Sequence, residues 1–339
     1  MNIVTYAQGL TTGTADGTGR RPYDTALRVK WALGLGLLAV FIVLPLFNAD
    51  NFILSLATTL LITGVAVTSL HLVIRMGHVC LAHGAFMGLG AYAAIISTMT
   101  YGLPFPVALA MSFIVPAALG AVIGPMLLRL SGKYFVLVTF LLGEIIRMVF
   151  VSWQSFTGGA NGIFGIPLPY AFLNTPTAFF YFTLVISIIC IGFVARILQS
   201  EVGRMIDSIR EDSRLSECTG MPVFRTKVVI FVLSCGLVGI AGALSAFFIR
   251  FIEPTSFSMI QSLNFVVMNI VGGMHQLAGP IIGTLFFVLL PEFLRGYVEL
   301  QRIIFGVCLI IVMAALPGGI VGLIVQLRRL VLSAWEKKT

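Results

Sequence analysis

Only 34 of 339 residues carry a formal charge, 21 Lys or Arg against 13 Asp or Glu, so charged groups that fall close together stand out. Glu144 and Arg147 lie three residues apart inside an apolar run, which puts them on one face of a helix. A charge at mid-membrane costs about 2.5–3.5 kcal/mol on insertion scales, so such groups normally face protein or water. The pair reads either as a pathway or gate element or as a structural ion pair. His71, His83 and His275 share no metal-ligand spacing and read as packed, hydrogen-bonded side chains. The five cysteines lie singly, with no CxxC and no Cys/His spacing, which indicates neither a disulfide framework nor a zinc site. The sequence contains no GxxxxGK[ST], GxSxG or HExxH. No nucleophile–base–orienter set emerges, and the expectation is a chain with no catalytic and no metal site.

Two polar segments are more informative. Residues 201–221 read EVGRMIDSIREDSRLSECTGM. Val202, Met205, Ile206 and Ile209 recur at i, i+3, i+4, i+7, the apolar face of a helix, and Arg204, Asp207, Arg210, Glu211, Asp212, Arg214 and Glu217 fill the other face. Gly220 and Pro222 supply a stop signal. Such a helix either docks a soluble partner or lies along a lipid surface, and its near balance of acid and base argues against a polybasic lipid anchor. The second segment is Thr157-Gly158-Gly159-Ala160-Asn161-Gly162, followed by Ile163-Phe164-Gly165-Ile166-Pro167. Its backbone N–H groups could cradle a carboxylate, or its glycines simply make tight turns.

The elements that position these groups follow from composition. Apolar residues make up 58% and charged residues 10%, against about 25% charged in soluble domains, and mean hydropathy is +1.04. That balance excludes a soluble globular protein and leaves little room for an ATPase or binding domain of its own. In a membrane protein the net charge of +8 reports loop orientation rather than nucleic-acid binding. Apolar runs fall at about 31–47, 52–74, 79–99, 103–128, 134–152, 178–198, 228–250, 264–294 and 301–327. Basic residues cluster in the N-terminal tail, in 196–227 and at the C-terminus, which predicts that all three are cytoplasmic. Six crossings then separate the tail from loop 196–227. The run 264–294 is too long for one span and is interrupted by Gly272, Gly273, Gly279 and Pro280. Splitting it there gives about ten transmembrane helices or half-helices. A re-entrant hairpin is the rival for this run, and the same question applies to 79–99.

The predicted architecture is an all-α polytopic membrane protein with some broken helices and a short cytoplasmic helix. Residues 1–30 form an uncleaved cytoplasmic tail, 31–327 the transmembrane domain with its loop at 199–222, and 328–339 a cytoplasmic C-terminal tail. Gly84/Gly88, Gly120/Gly124, Gly279/Gly283 and the series Gly236, Gly239, Gly242 mark close helix approaches. Pro45, Pro104, Pro106, Pro116 and Pro125 mark kinks or breaks.

Several of these segments together resemble one family. Gly77-His78-Val79-Cys80-Leu81-Ala82-His83-Gly84-Ala85-Phe86, continuing through Gly88-Leu89-Gly90-Ala91-Tyr92, looks like the early membrane motif of branched-chain amino-acid ABC importer permeases. Arg129-Leu130-Ser131-Gly132-Lys133-Tyr134-Phe135, Thr139 and Gly143-Glu144-Ile145-Ile146-Arg147 resemble its middle signature. The loop from Thr157 to Ile163 is similar to that of its M-type subunit. Gly203-Arg204, Ile209-Arg210-Glu211-Asp212 and Gly220-Met221 resemble its ATPase-coupling loop. Gly272-Gly273-Met274 and Leu277-Ala278-Gly279-Pro280-Ile281-Ile282-Gly283 match its C-terminal portion, and the resemblance covers about residues 50–325. His78, Cys80 and Ala82 depart from the usual small polar residues and glycine there.

The resemblance implies a non-enzymatic permease of the bacterial inner membrane, multi-pass, with both termini cytoplasmic. It would pair with a homologous permease as a heterodimer, with two cytoplasmic ATPases that carry ATP and Mg, and with a periplasmic binding protein. This chain would bind no cofactor itself. Gly203, Arg204, Ile206, Ile209, Arg210, Glu211, Asp212 and Gly220 would couple to an ATPase. His83, Gly84, Phe86, Glu144, Arg147, Gly158, Gly159, Asn161 and Gly162 would belong to the pathway or gate. Branched-chain or related hydrophobic amino acids are the expected substrates. Urea, short amides or aromatic carboxylates within the same family, and an ATP-independent secondary transporter outside it, are the alternatives.

Overall fold

The computed structural model describes residues 50–168 and 170–296, with short helical stretches between 303 and 323. The predicted span 31–47, both tails and most of the run 301–327 lie outside the described residues. The chain divides into Met1–Asp50 and Asn51–Thr339, and the fold below is that of the second unit.

Its main helices are α1 (Asn51–Arg75), α2 (His83–Met99), α3 (Phe105–Leu127), α4 (Lys133–Ser152), α5 (Pro176–Gln199), α6 (Glu201–Glu211), α7 (Ser213–Cys218), α8 (Val223–Ile249), α9 (Met259–Gly272) and α10 (Ala278–Phe293), with a single further turn at Gln154–Thr157. Among the described residues five helices, α1, α3, α4, α5 and α8, are long and apolar enough to cross a membrane. At 1.5 Å per residue the 25 residues of α1 reach about 37 Å, enough for a tilted crossing.

The two most buried of these five long helices, α1 and α8, form the centre. α8 packs against α1, α2 and α3, while α5 and the α9–α10 hairpin pack on α1. Phe86, Phe135, Phe231, Phe247 and Phe265 fill the core between them. In lipid no hydrophobic force drives helix association, so close backbone approach matters most. Gly90 of α2 meets the backbone of Gly239 on α8, and Gly239 in turn lies against the Ser112 carbonyl of α3. A side chain at Gly239 would push three helices apart. The glycine series on α8 is therefore a packing seam.

The apolar run 79–99 differs from a simple span. Residues 76–82 are not helical, and α2 starts at His83 inside the fold. Gly77 turns the chain at φ +84°. The backbone amides freed by this entry are satisfied from neighbouring helices. Leu81 N donates to Thr139 Oγ1 at 3.2 Å, and Gly84 N donates to Ser262 Oγ at 2.8 Å. The run 264–294 divides where its glycines predicted, between Gly272 and Ala278, although the first piece begins earlier, at Met259. Gly279 and Gly283 pack directly on the backbone of α9. At the end of the bundle opposite α6, β1 (Ile163–Phe164) pairs antiparallel with β2 (Phe251–Ile252), Ile163 facing Ile252.

Candidate functional site

The end of the bundle that carries α6 is built around a sharp corner. α5 stops at Gln199, Ser200 is extended, and α6 starts at Glu201. Gly203 sits so close to the Leu198 carbonyl that any Cβ would collide with it. α6 buries Ile206 and Ile209, leaves Met205 half-buried and exposes Val202. The buried stripe is thus narrower than the four-residue face the periodicity predicts. Asp212 accepts from Arg214 N at 2.9 Å and Leu215 N at 3.1 Å, which caps a second helix, α7. The single predicted helix is therefore two, because an Asp in extended conformation offers its carboxylate to a new set of N–H groups. Ser208 and Ser216 bond across the bend at 2.9 Å, and Gly220 ends α7 at φ +81°.

The outward surface of this helix pair mixes charge with apolar groups. Glu201, Val202, Arg204, Glu211, Asp212, Arg214, Leu215 and Glu217 are exposed, and Arg210 is half-buried. Arg204 pairs with Glu201 at 2.8 Å in full solvent view, an interaction worth little by itself. Arg75, the last residue of α1, behaves differently. Its Nε and Nη2 donate to Asp207 Oδ1 and Oδ2 at 2.6 and 2.8 Å, with the Arg75 side chain only 16% exposed. The charge pattern of 201–221 did not single out this fork. A basic residue closing an apolar span and an acid on the helix that follows were its only signals.

Just beyond Arg75, His78 donates from Nδ1 to the Met76 carbonyl at 3.2 Å and stands edge-on to Phe135. Burial, helped by the nearby Lys227 ammonium, holds its pKa below 6.5.

Inside the bundle a polar belt crosses α1 between residues 67 and 71. Asn269 Nδ2 donates to the Val67 and Phe265 carbonyls at 3.0 Å each, and its Oδ1 accepts from His71 Nδ1 at 3.1 Å. Ser69 Oγ pairs with His83 Nε2 at 2.9 Å, and the Ser69 carbonyl accepts from Ser234 Oγ at 2.6 Å. His83, Gly84 and Phe86 are all buried, Phe86 edge-on to Phe231. They are brought together, but in the packed interior rather than on a surface. Asn269 and Ser262, which tie α9 to α1 and α2, were not picked out by sequence. Asn269 is one of several amides in and beside its apolar run, with Gln261, Asn264 and Gln276, and nothing in the sequence set it apart.

Glu144 and Arg147 form the predicted ion pair, Arg147 Nε to Glu144 Oε2 at 2.8 Å. α4 buries Phe135, Thr139, Gly143, Ile146 and Phe150 on one face. Leu137, Leu141, Ile145 and Met148 are exposed on the other, and a shallow groove beside them is lined by Glu144, Ser152 and Trp153 as well. The pair lies along that open face.

Gly158, Gly159 and Gly162 all have positive φ. Their N–H groups donate to the Gln154 carbonyl, Thr157 Oγ1 and the Gly159 carbonyl. With those donors used inside the loop, the geometry is that of tight turns rather than of a carboxylate cradle. Asn161 is exposed, and Gly162 packs on the Ile252 carbonyl. No group of three His, Cys, Asp or Glu able to hold a metal occurs among the described residues.

Comparison with known proteins agrees with this picture. The chain is 28% identical over 319 residues to the high-affinity branched-chain amino acid transport system permease protein LivM of Salmonella typhimurium, covering 86% of this chain and 75% of the relative. The identity and coverage are the same for LivM of Escherichia coli. The autoinducer 2 import system permease protein LsrD of Escherichia coli is 25% identical over 336 residues, covering 91% and 96%. No solved structure matches the chain. The apolar helices and these relatives make it a multi-pass membrane protein and a transport permease component. Residues 52–313 match the family described as branched-chain amino acid transport system / permease component, and the chain belongs to that family.

Proposed function

We propose that the chain is the transmembrane permease subunit of an ATP-binding-cassette importer for branched-chain or related hydrophobic amino acids. It works with a homologous permease, two separate ATPase subunits and a periplasmic binding protein. The observation that carries this reading is the α6–α7 pair. Two short helices stand off the end of the bundle, anchored by Ile206 and Ile209, and present Arg204, Glu211, Asp212 and Leu215 outward. Such a mixed charged and apolar surface suits a groove on a soluble motor. A secondary transporter would leave it without a partner.

Two further features fit this scheme. The open face of α4, with its ion pair, faces the homologous permease and the pathway between them. The turn-rich loop 157–165, at the opposite end of the bundle, offers a surface to the binding protein. Alternating access follows: closure of the ATPases displaces α6, and the bundles swing the central cavity between the two sides. The substrate rests on the family and on what the LivM relatives are named for.

The test purifies the chain from its native membranes by an affinity tag and reconstitutes it in vesicles. An ATPase should co-purify, and uptake of labelled leucine should require ATP on the α6 side. Arg210→Ala with Glu211→Ala should weaken ATPase association while membrane insertion survives. Uptake without ATP, or unchanged coupling in the double variant, would refute the assignment.

A further inference from the structure

α6 has eleven residues, too few for a helix to hold itself in water, so its attachments decide how it moves. Burial of Ile206 and Ile209 is non-directional and lets the helix slide. The covalent link to α5 runs through the single extended residue Ser200, at a corner where Gly203 packs on the Leu198 carbonyl. Thr183 and Ser187 of α5 are buried hydroxyls without a hydrogen-bond partner among the described residues. Among the described residues the Arg75–Asp207 fork is the one side-chain hydrogen bonding from α6 to a membrane-length helix, since the Ser208–Ser216 bond goes to α7. Two parallel N–H···O bonds fix the plane as well as the distance of the pair, so α6 can neither roll nor slide without breaking both.

What lies behind Arg75 matters as much. It ends α1, the central helix, and the polar belt at 67–71 begins about one turn away. There α1 is bonded to α2 through His83, to α8 through Ser234 and to α9 through Asn269. A displacement of Asp207 therefore reaches four helices through one rigid element.

We propose that Arg75 and Asp207 are a positioning pair, the joint that passes movement of α6 into α1 and the polar belt. The inference rests on the ATPase-driven reading of α6. Joint and docking face adjoin: Asp207 lies on the flank of α6 between the buried Ile206 and the exposed Arg204 and Glu211, and its carboxylate turns to Arg75. Loss of the fork uncouples transport without releasing the motor.

The experiment uses the whole transporter, purified through a tag on this chain and placed in vesicles. Arg75→Lys keeps the charge and loses the fork, and Asp207→Asn keeps the shape and loses the charge. Each should lower ATP-driven leucine uptake on the order of tenfold, the scale of losing charge-assisted bonds. Basal ATP hydrolysis and ATPase co-purification should stay at the level of the unsubstituted complex. The exchange Arg75→Asp with Asp207→Arg should recover most of the uptake lost in Arg75→Asp alone. Full uptake in the single variants overturns the proposal, as does an exchange no better than the single variant. ATPase lost in step with uptake also overturns it, because the pair then merely shapes the docking face. Failure of the functional reading looks different: the unsubstituted chain would purify with no ATPase, or transport without ATP.

Discussion

Replacing Asn269 by Leu keeps the branched, four-heavy-atom outline of the side chain and removes the hydrogen bonds that join α9 to α1. The residue is fully buried. Two of its three bonds are interhelical, to the Val67 carbonyl and from His71 Nδ1, and the third returns to Phe265 of its own helix. Interhelical side-chain bonds in membranes average about 0.6 kcal/mol and reach about 1.7. Losing two of them should therefore cost about 1–3 kcal/mol. The Val67 carbonyl keeps its helical donor within α1, which argues for the lower part of that range, while the unpaired His71 Nδ1 argues for the upper. The assay is equilibrium unfolding of the purified chain in mixed detergent, read by far-UV circular dichroism. Thr284→Val is the control, because the Thr284 hydroxyl is buried equally but, among the described residues, bonds only to Pro280 of its own helix, at 2.7 Å. An Asn269→Leu variant as stable as the parent, or a Thr284→Val variant equally destabilised, would refute the idea that the belt joins helices.

Gly239→Ala should destabilise by about 1–3 kcal/mol through overpacking, since its Cβ meets the Ser112 carbonyl and Pro116. Gly192→Ala on the exposed face of α5, with open space around it, should be neutral or stabilising by about 0.4–1 kcal/mol in the same unfolding assay. His78 gives a pH dependence. Its pKa is lowered in the fold from 6.5 by burial and then by Lys227, so below that value the unfolded chain binds more protons than the folded one. Stability is then fully present above about pH 6.5 and falls as acid is added through the folded pKa. Unfolding curves at several pH values should show a shallower loss for His78→Gln than for the parent.

Helix content, the split in 264–294 and the glycine seams were legible because each is written in local sequence. Apolar length, glycine spacing and helix breakers do not depend on distant partners. The corner at Gly203 and the cap at Asp212 were partly legible: the first as a small residue near a helix start, the second hidden because one amphipathic period ran across it. What stayed hidden were contacts between residues far apart in sequence. Arg75 and Asp207 are 132 positions apart, and Asn269 and Val67 are 202 apart. Nothing in either neighbourhood names the other. The glycine-rich loop shows the converse. Its composition fits a cradle and a turn equally, and only the destination of its N–H groups separates them.

The two partly buried charge pairs differ in what must surround them. Arg75–Asp207 sits at the end of a helix, where one side is buried and the other meets solvent, so its charges cost little to keep. Glu144–Arg147 sits near the middle of a 20-residue apolar helix, with side chains 31% and 22% exposed. Pairing cancels much of the Coulomb energy but leaves the desolvation penalty of both ions. Lipid cannot supply hydrogen bonds to the remaining carboxylate and guanidinium positions, whereas a neighbouring protein surface or a water-lined path can. The apolar residues flanking the pair, Leu141, Ile145 and Met148, recur at helical spacing, as a packed helix interface requires. The same face thus carries groups that favour a protein neighbour and groups that disfavour lipid. That combination is what the proposed pairing with a second permease would require of this face.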